Sequence, residues 1–280
     1  MTVSQTELDH CRELALPPGS LFEFTSRFLS SEQRVPLLAL YALKQAVGNI
    51  PHAPVEDSVK WAKLKWWSEE FAADPGSPSR HPVLRVLWSS GARVQLDDAL
   101  LQRLVGGAVL QIDVTPNSDE DAMFDRFATL GSTDIRLELA LDETEADAQY
   151  LNFLGAASIL SRVLNSFAAD HHSETEQLPL SLIAKHGVNL VEQEKTQNTE
   201  DMAELIRELA EKGLSWFSDG KAGLGSTLKP GTGKHLQLRL AMEERRLAGI
   251  SRNVNIVFSP DQHYGPGDAW FAWRFLRRLK

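Results

Sequence analysis

The sequence predicts an all-α protein, and two observations carry that prediction. Apolar residues recur at helical spacing through most of the chain, as in Leu151, Leu154, Ala157, Ile159, Leu160, Val163, Leu164 and Phe167, whereas alternating strand-like runs are scarce. The interruptions are of the kind that separate helices: DPGSPSRHP at 74–82, SDGKAGLGSTLKPGTGK at 218–234 and SPDQHYGPGD at 259–268 concentrate Gly, Pro, Ser and Asp. The second reads as a mobile loop over 218–234. No break separates parts of different composition and no repeat of fixed period is visible, so residues 1–280 are expected to form one domain of roughly ten helices.

Taken in order, the first core helix opens near Ser30, which has capping-box spacing to Gln33, although Pro36 just past the first turn leaves its start open by several residues. It continues through LALYALKQAVGNIPH, 38–52, where Lys44 is the only formally charged side chain if His52 is neutral. Helical steps lead from Tyr41 through Gln45 and Gly48 to His52, which puts these four on one face, with Leu37, Leu40, Leu43 and Val47 on neighbouring stripes. A helix this apolar is buried, so its polar residues are expected to line an internal surface. A later helix, read from Leu154 to Asp170, carries a second polar stripe at Arg162, Ser166 and Asp170. Between them, Trp61, Trp66 and Trp67 are expected to pack in the core rather than form a cofactor platform. The chain closes on PGDAWFAWRFLRRLK, which reads either as the last packed helix or as a segment laid on an anionic membrane, with Trp270, Trp273, Arg274, Arg277 and Arg278 as the contacts.

Composition narrows the partners. A chain of 280 residues with 42% hydrophobic side chains can bury a substantial core. A formal charge of -9 speaks against a nucleic-acid partner, which would need clustered Lys and Arg. Cys11 is the sole cysteine, which excludes an intrachain disulfide and a Cys-rich zinc site and fits a reducing compartment. The start MTVSQTELDHCRELAL matches neither a secretory signal nor an Arg-rich transit peptide. No run approaches the length of about 20 apolar residues that a spanning helix needs. The expectation is a cytoplasmic protein, with any membrane contact peripheral at the inner face.

Five blocks, GSLFEFTSRFLSSEQRVPLLALYAL, AKLKWWSEEF, HPVLRVLW, LGAASILSRVL and QLPLSLIAKHGV, follow the order and spacing of the squalene and phytoene synthase family across roughly residues 18 to 190. The resemblance implies an all-α isoprenoid-synthase bundle with a central cavity, and a reaction that joins two prenyl diphosphates head to head with magnesium held by Asp-rich motifs. At the positions matching the first motif stand Gly48, Asn49 and His52, with Gln45 where the family has an Arg. The second motif is represented by Arg162, Asn165, Ser166 and Asp170, of which one is an acid. In the block that follows, Glu174 to Pro179, Thr175 replaces the Arg expected to contact diphosphate, and only Leu178 and Pro179 remain.

These replacements bear on chemistry. Magnesium takes oxygen ligands, chiefly carboxylates, and neutralises the diphosphates in a low-dielectric site. Gly48 has no ligand to offer and Arg162 repels a cation. A loss of about 4 kcal/mol of transition-state stabilisation lowers a rate about a thousandfold. The resemblance therefore implies a degenerate member, similar to the branch holding the phytoene-synthase-like assembly factor of respiratory complex I. No catalytic residue, metal or cofactor is expected, and Tyr41, Gln45, His52, Arg162 and Ser166 are the candidates to face the cavity. The expected function is non-catalytic, in assembly or maturation of a respiratory complex through its subunits or a bound lipid. The alternatives are a divergent prenyl transferase relying on Asp170 and the acidic series from Asp121 to Asp142, and a carrier of an isoprenoid or another apolar ligand.

Other constellations have ordinary readings. Asp121, Asp125, Asp134, Glu138 and Asp142 form an acidic series expected on a solvated helix face. Asp170, His171, His172 and His186 read as a surface turn rather than a metal site. The GLG and GTGK pieces within 223–234 lack phosphate-loop spacing and follow no strand, which excludes an ATP site.

Overall fold

A computed structural model of the chain describes residues 3–74, 79–112, 115–167, 177–188, 200–227, 233–258 and 264–279. Among them lie twelve α-helices, a 3-10 turn at Val254–Ile256 and no strand.

Helices α1 (Gln5–Ala15), α3 (Ser31–Gly48), α4 (Asp57–Phe71), α5 (Pro82–Ser89) and α6 (Asp98–Val109) gather round one apolar core that includes Leu40, Leu43, Phe71, Leu84 and Leu101. A second core, with Phe127, Leu160, Leu209 and Phe217, is shared by α7 (Glu120–Leu141), α8 (Ala148–Ser166), α10 (Glu200–Thr227) and α11 (Lys234–Arg252), with the short α9 (Leu180–Lys185) packed against it. Helix α7 belongs to both, since its Leu137 enters the first core and its Ile135 and Leu139 the second. Helices α2 (Leu21–Ser26) and α12 (Pro266–Arg278) sit on α11, where Phe24, Leu238, Met242 and Ala272 make a small third cluster.

Local chemistry sets the helix starts. Side chains of Ser20, Ser30, Asp97 and Asp119 each accept a backbone N–H from the first turn that follows. At Ser30 the acceptor is Oγ, 3.3 Å from the Gln33 nitrogen. Pro36 lies inside α3 and denies the Glu32 carbonyl its helical partner, but Glu32 is exposed and water can serve instead.

Helices α7 and α8 are held at contact distance by glycine. A Cβ placed on Gly131 of α7 would lie 2.1 Å from the Gly155 carbonyl oxygen of α8, and one on Gly155 would lie 2.3 Å from the Ser132 nitrogen. No other residue lets these two backbones touch.

Several expectations are corrected. The loop read over 218–234 is not a loop at its start, because 218–227 form the last turns of α10. Its glycines serve packing: a Cβ on Gly220 would meet Leu154 of α8 at 2.5 Å, while Trp216, Phe217 and Leu224 continue the helical apolar stripe into the core. Gly233 caps α11 at a positive φ of 61°, and only 228–232 fall outside the described residues. Trp67 is buried as expected, but Trp61, on another side of α4, is exposed. Helix α8 ends at Ser166, and Asp170, His171, His172, Glu174, Thr175 and Glu176 lie outside the described residues. No helix among the described residues is long and apolar enough to cross a membrane.

Candidate functional site

A cavity of about 760 Å³ opens between the two cores. Helix α3 and the turn after it supply Tyr41, Lys44, Gln45, Gly48, Asn49 and His52 to its wall, and α8 supplies Ile159, Arg162, Val163, Asn165 and Ser166. Helix α6 adds Arg103 and Leu104, α7 adds Leu130 and Asp134, and α11 adds Arg239, Glu243 and Arg246. The described residues of the two polar stripes thus border one space, and a Cβ on Gly48 would meet nothing within 4 Å.

Several of the charges along this wall are engaged by neighbouring side chains. Asp134 receives Lys44 at 3.7 Å and Arg162 at 3.4 Å. Arg246 donates from Nε to Asn165 Oδ1 at 2.7 Å, and the Ser166 hydroxyl donates to the Arg162 carbonyl at 2.7 Å. Arg162, expected at a position of the second motif, thus pairs with Asp134 while its own side chain stays more than half exposed.

Behind the wall stands a network that corrects the reading of the acidic series. Glu138 does not face solvent; only 3% of it is exposed. Its Oε1 accepts the Tyr41 hydroxyl at 2.9 Å and the Lys44 ammonium at 3.4 Å and lies 3.1 Å from Arg239 Nε, while Oε2 lies 3.2 Å from His235 Nδ1. Thr25 Oγ1 and His235 Nε2 are 3.1 Å apart, and Tyr41 stacks on Phe22. Burial alone would push the Glu138 carboxyl up, but Arg239, Lys44 and His235 outweigh it and hold the group well below the usual carboxylate range. Burial and the neighbouring Glu138 push the Tyr41 phenol up, so it stays a donor. Only Asp121 and Asp125 of the series are exposed; Asp142 accepts the Gly233 N–H at 2.8 Å. Nothing local marks Glu138 as buried except its neighbours Leu137 and Leu139, and its partners lie about a hundred residues away in either direction.

Arg239, like Tyr41 and Lys44, links this network to the cavity. One Nη1 bonds Ser158 Oγ at 3.0 Å and Glu243 Oε1 at 2.9 Å. Its Nη2 and the Glu243 Oε2 are buried and have no hydrogen-bond partner, although both residues border the cavity. Such orphaned atoms are costly unless something polar meets them.

The described donors do not fit magnesium. Among the described residues the carboxylates at the cavity wall are Asp134 and Glu243, each already engaged by cations, and the matching motif positions hold Gly48, Asn49, His52, Arg162, Asn165 and Ser166, with Asp170 outside the described residues. No group of three His, Cys, Asp or Glu among the described residues is arranged to hold a metal. His186, expected on a surface turn, is fixed by Glu208 at 2.6 Å. Trp270 and Trp273 lie away from the cavity wall on the exposed side of α12.

An all-helical bundle surrounding a large cavity of mixed apolar and ionised wall is the isoprenoid-synthase architecture. The solved structures it resembles agree: a dehydrosqualene synthase in complex with ligand (TM-score 0.76, 12% identity, 98% of this chain and 95% of that one) and a squalene synthase from Alicyclobacillus acidocaldarius (TM-score 0.71, 19% identity, 88% and 94%). Residues 18–263 match the squalene/phytoene synthase family model, and the chain belongs to that family. Its relatives include proteins named phytoene synthase from Mycobacterium bovis and Mycobacterium tuberculosis, each 26% identical over 237 residues that cover 82% of this chain and 74% of the relative.

Proposed function

We propose that this protein is a non-catalytic member of its family that holds, in the cavity, an amphiphile with an apolar body and an anionic head. The observation that carries the reading is the pairing of Arg162 and Lys44 with Asp134, which engages with cations a cavity-wall carboxylate that a metal would otherwise draw on. Lys44, Arg103, Arg162, Arg239 and Arg246 outnumber Asp134 and Glu243 on the wall of a chain whose overall charge is -9. An anionic head there would meet guanidinium and ammonium groups directly, with the unpartnered Arg239 Nη2 as one donor. Phe22, Leu104, Leu130, Ile159 and Val163 offer the apolar body its surface. Without a metal to stabilise the leaving diphosphate, binding would not proceed to ionisation.

In the cell such a protein would act in assembly or maturation of a respiratory complex, a role supported by the altered motifs and by the resemblance to the assembly-factor branch. Identity to phytoene synthases supports the competing reading, a prenyl transferase with an unusual site. Incubation with farnesyl or geranylgeranyl diphosphate and magnesium, followed by mass spectrometry, separates the two: the expected result is bound, unconverted diphosphate, and a head-to-head product would sink the non-catalytic reading. Affinity capture from the native cell, with lipid analysis of the eluate, tests the assembly role; recovery of respiratory-complex subunits is the expected result.

A further inference from the structure

Helix α12 meets the protein through one side only. Ala272 is fully buried, and Phe271, Phe275 and Leu276 pack beside it on Phe24, Leu238 and Met242. The other side leaves Trp270 and Trp273 58% and 50% exposed, the two most exposed aromatic side chains among the described residues that are large and apolar. Three residues apart, they share a helix face. The Arg274 guanidinium lies 5.2 Å from the centre of the Trp270 ring and that of Arg277 lies 4.6 Å from the Trp273 ring, so each indole carries a cation at its face.

The charge is equally one-sided. From Pro266 to the end of the chain, Arg274, Arg277, Arg278 and Lys280 face a single acid, Asp268. That acid is occupied, since it accepts the Gly265 N–H at 3.0 Å and pairs with Arg245 at 3.3 Å. A local excess of cations on a chain of charge -9 is not a by-product of composition.

We propose that α12 docks on an anionic lipid surface, laying Trp270 and Trp273 in the headgroup region with Arg274, Arg277 and Arg278 against lipid phosphates. Indole rings favour that region because one edge is apolar and the other can donate a hydrogen bond, and each basic residue near such a surface adds attraction. A second copy of this chain fits less well, because a symmetric contact through this face would set Arg274, Arg277 and Arg278 against the same cations of the other copy. Position adds a consequence: Tyr264, next to the N-cap of α12, borders the cavity and stacks on Phe24 at 4.9 Å, so a docked helix would bring the cavity wall toward the lipid.

The test is co-sedimentation of the full chain with vesicles of phosphatidylglycerol and phosphatidylcholine in equal parts, against vesicles of phosphatidylcholine alone. Binding to the anionic vesicles that falls as salt rises is expected. Replacing Arg274, Arg277 and Arg278 together by Gln should weaken it on the order of a hundredfold, and the matching Lys variant should retain most of it. Trp270→Ser with Trp273→Ser should weaken binding while leaving its salt dependence. All these side chains are exposed, so unchanged helical content and melting temperature are expected and are checked by circular dichroism. The proposal fails if the parent does not sediment, if it binds neutral vesicles equally, or if the Gln variant binds like the parent. Concentration-dependent dimerisation without lipid, abolished by the same variants, would overturn it in favour of a self-association face. Vesicle binding is read separately from cavity occupancy, so either reading can fail alone.

Discussion

At the scale of single residues, Glu138 shows how a charge can be buried and still stabilise. Its carboxylate has four partners, and removing its charge would leave Arg239 and Lys44 facing a neutral amide. Glu138→Gln is expected to cost about 3–5 kcal/mol, the usual result of breaking one side of a buried ion pair, measured by urea unfolding. His81 gives the pH dependence. Burial, with help from His10 and Arg85, pulls its pKa down from 6.5 to about 4, and its neutral Nδ1 accepts the Val83 N–H that opens α5. A base whose folded pKa lies below its unfolded value adds stability that is complete above pH 6.5 and is lost as pH falls toward about 4. The melting temperature should therefore drop through that window, and His81→Asn, which can still cap the helix, should flatten the drop.

Among the elements, the α7–α8 contact is the least forgiving. Gly155→Ala would drive a methyl into the α7 backbone, so the helices must separate; a loss of about 3 kcal/mol or more is expected in thermal or urea unfolding, above the upper range for overpacking that side chains can absorb. Gly48→Ala, with open space around its Cβ, is the control and should change stability little. These glycines also mark what could be read in advance. Helix α3 was legible because Ser30 caps it and its apolar positions repeat every three or four residues. The end of α10 was not, because glycine that permits helix packing and glycine that interrupts a helix are the same letter, and only the position of Leu154 distinguishes them. Glu138 was illegible for a related reason: acids at helical spacing normally seek water, and the cations that reverse this come from α3 and α11.

For the whole molecule, the lack of a fitting carboxylate set among the described residues makes a ligand prediction. A prenyl diphosphate analogue at about 100 times its dissociation constant should add about 2.7 kcal/mol of stability and raise the melting temperature, and magnesium should add nothing to that rise. A rise seen only with both would point to the transferase. The bundle and the two stripes at its cavity could be read from order and spacing, whereas the pairing of Arg162 and Lys44 with Asp134 needed three helices in place. That division has a bearing on how such a protein can change over generations. Leu40, Leu43 and Val47 of α3 belong to a core, but Gln45 and Gly48 of the same helix, and Asn49 and His52 in the turn after it, do not. Mutations at the latter positions can accumulate without unfolding the chain, so a lineage can shed its original chemistry one side chain at a time while the scaffold stays available for another use.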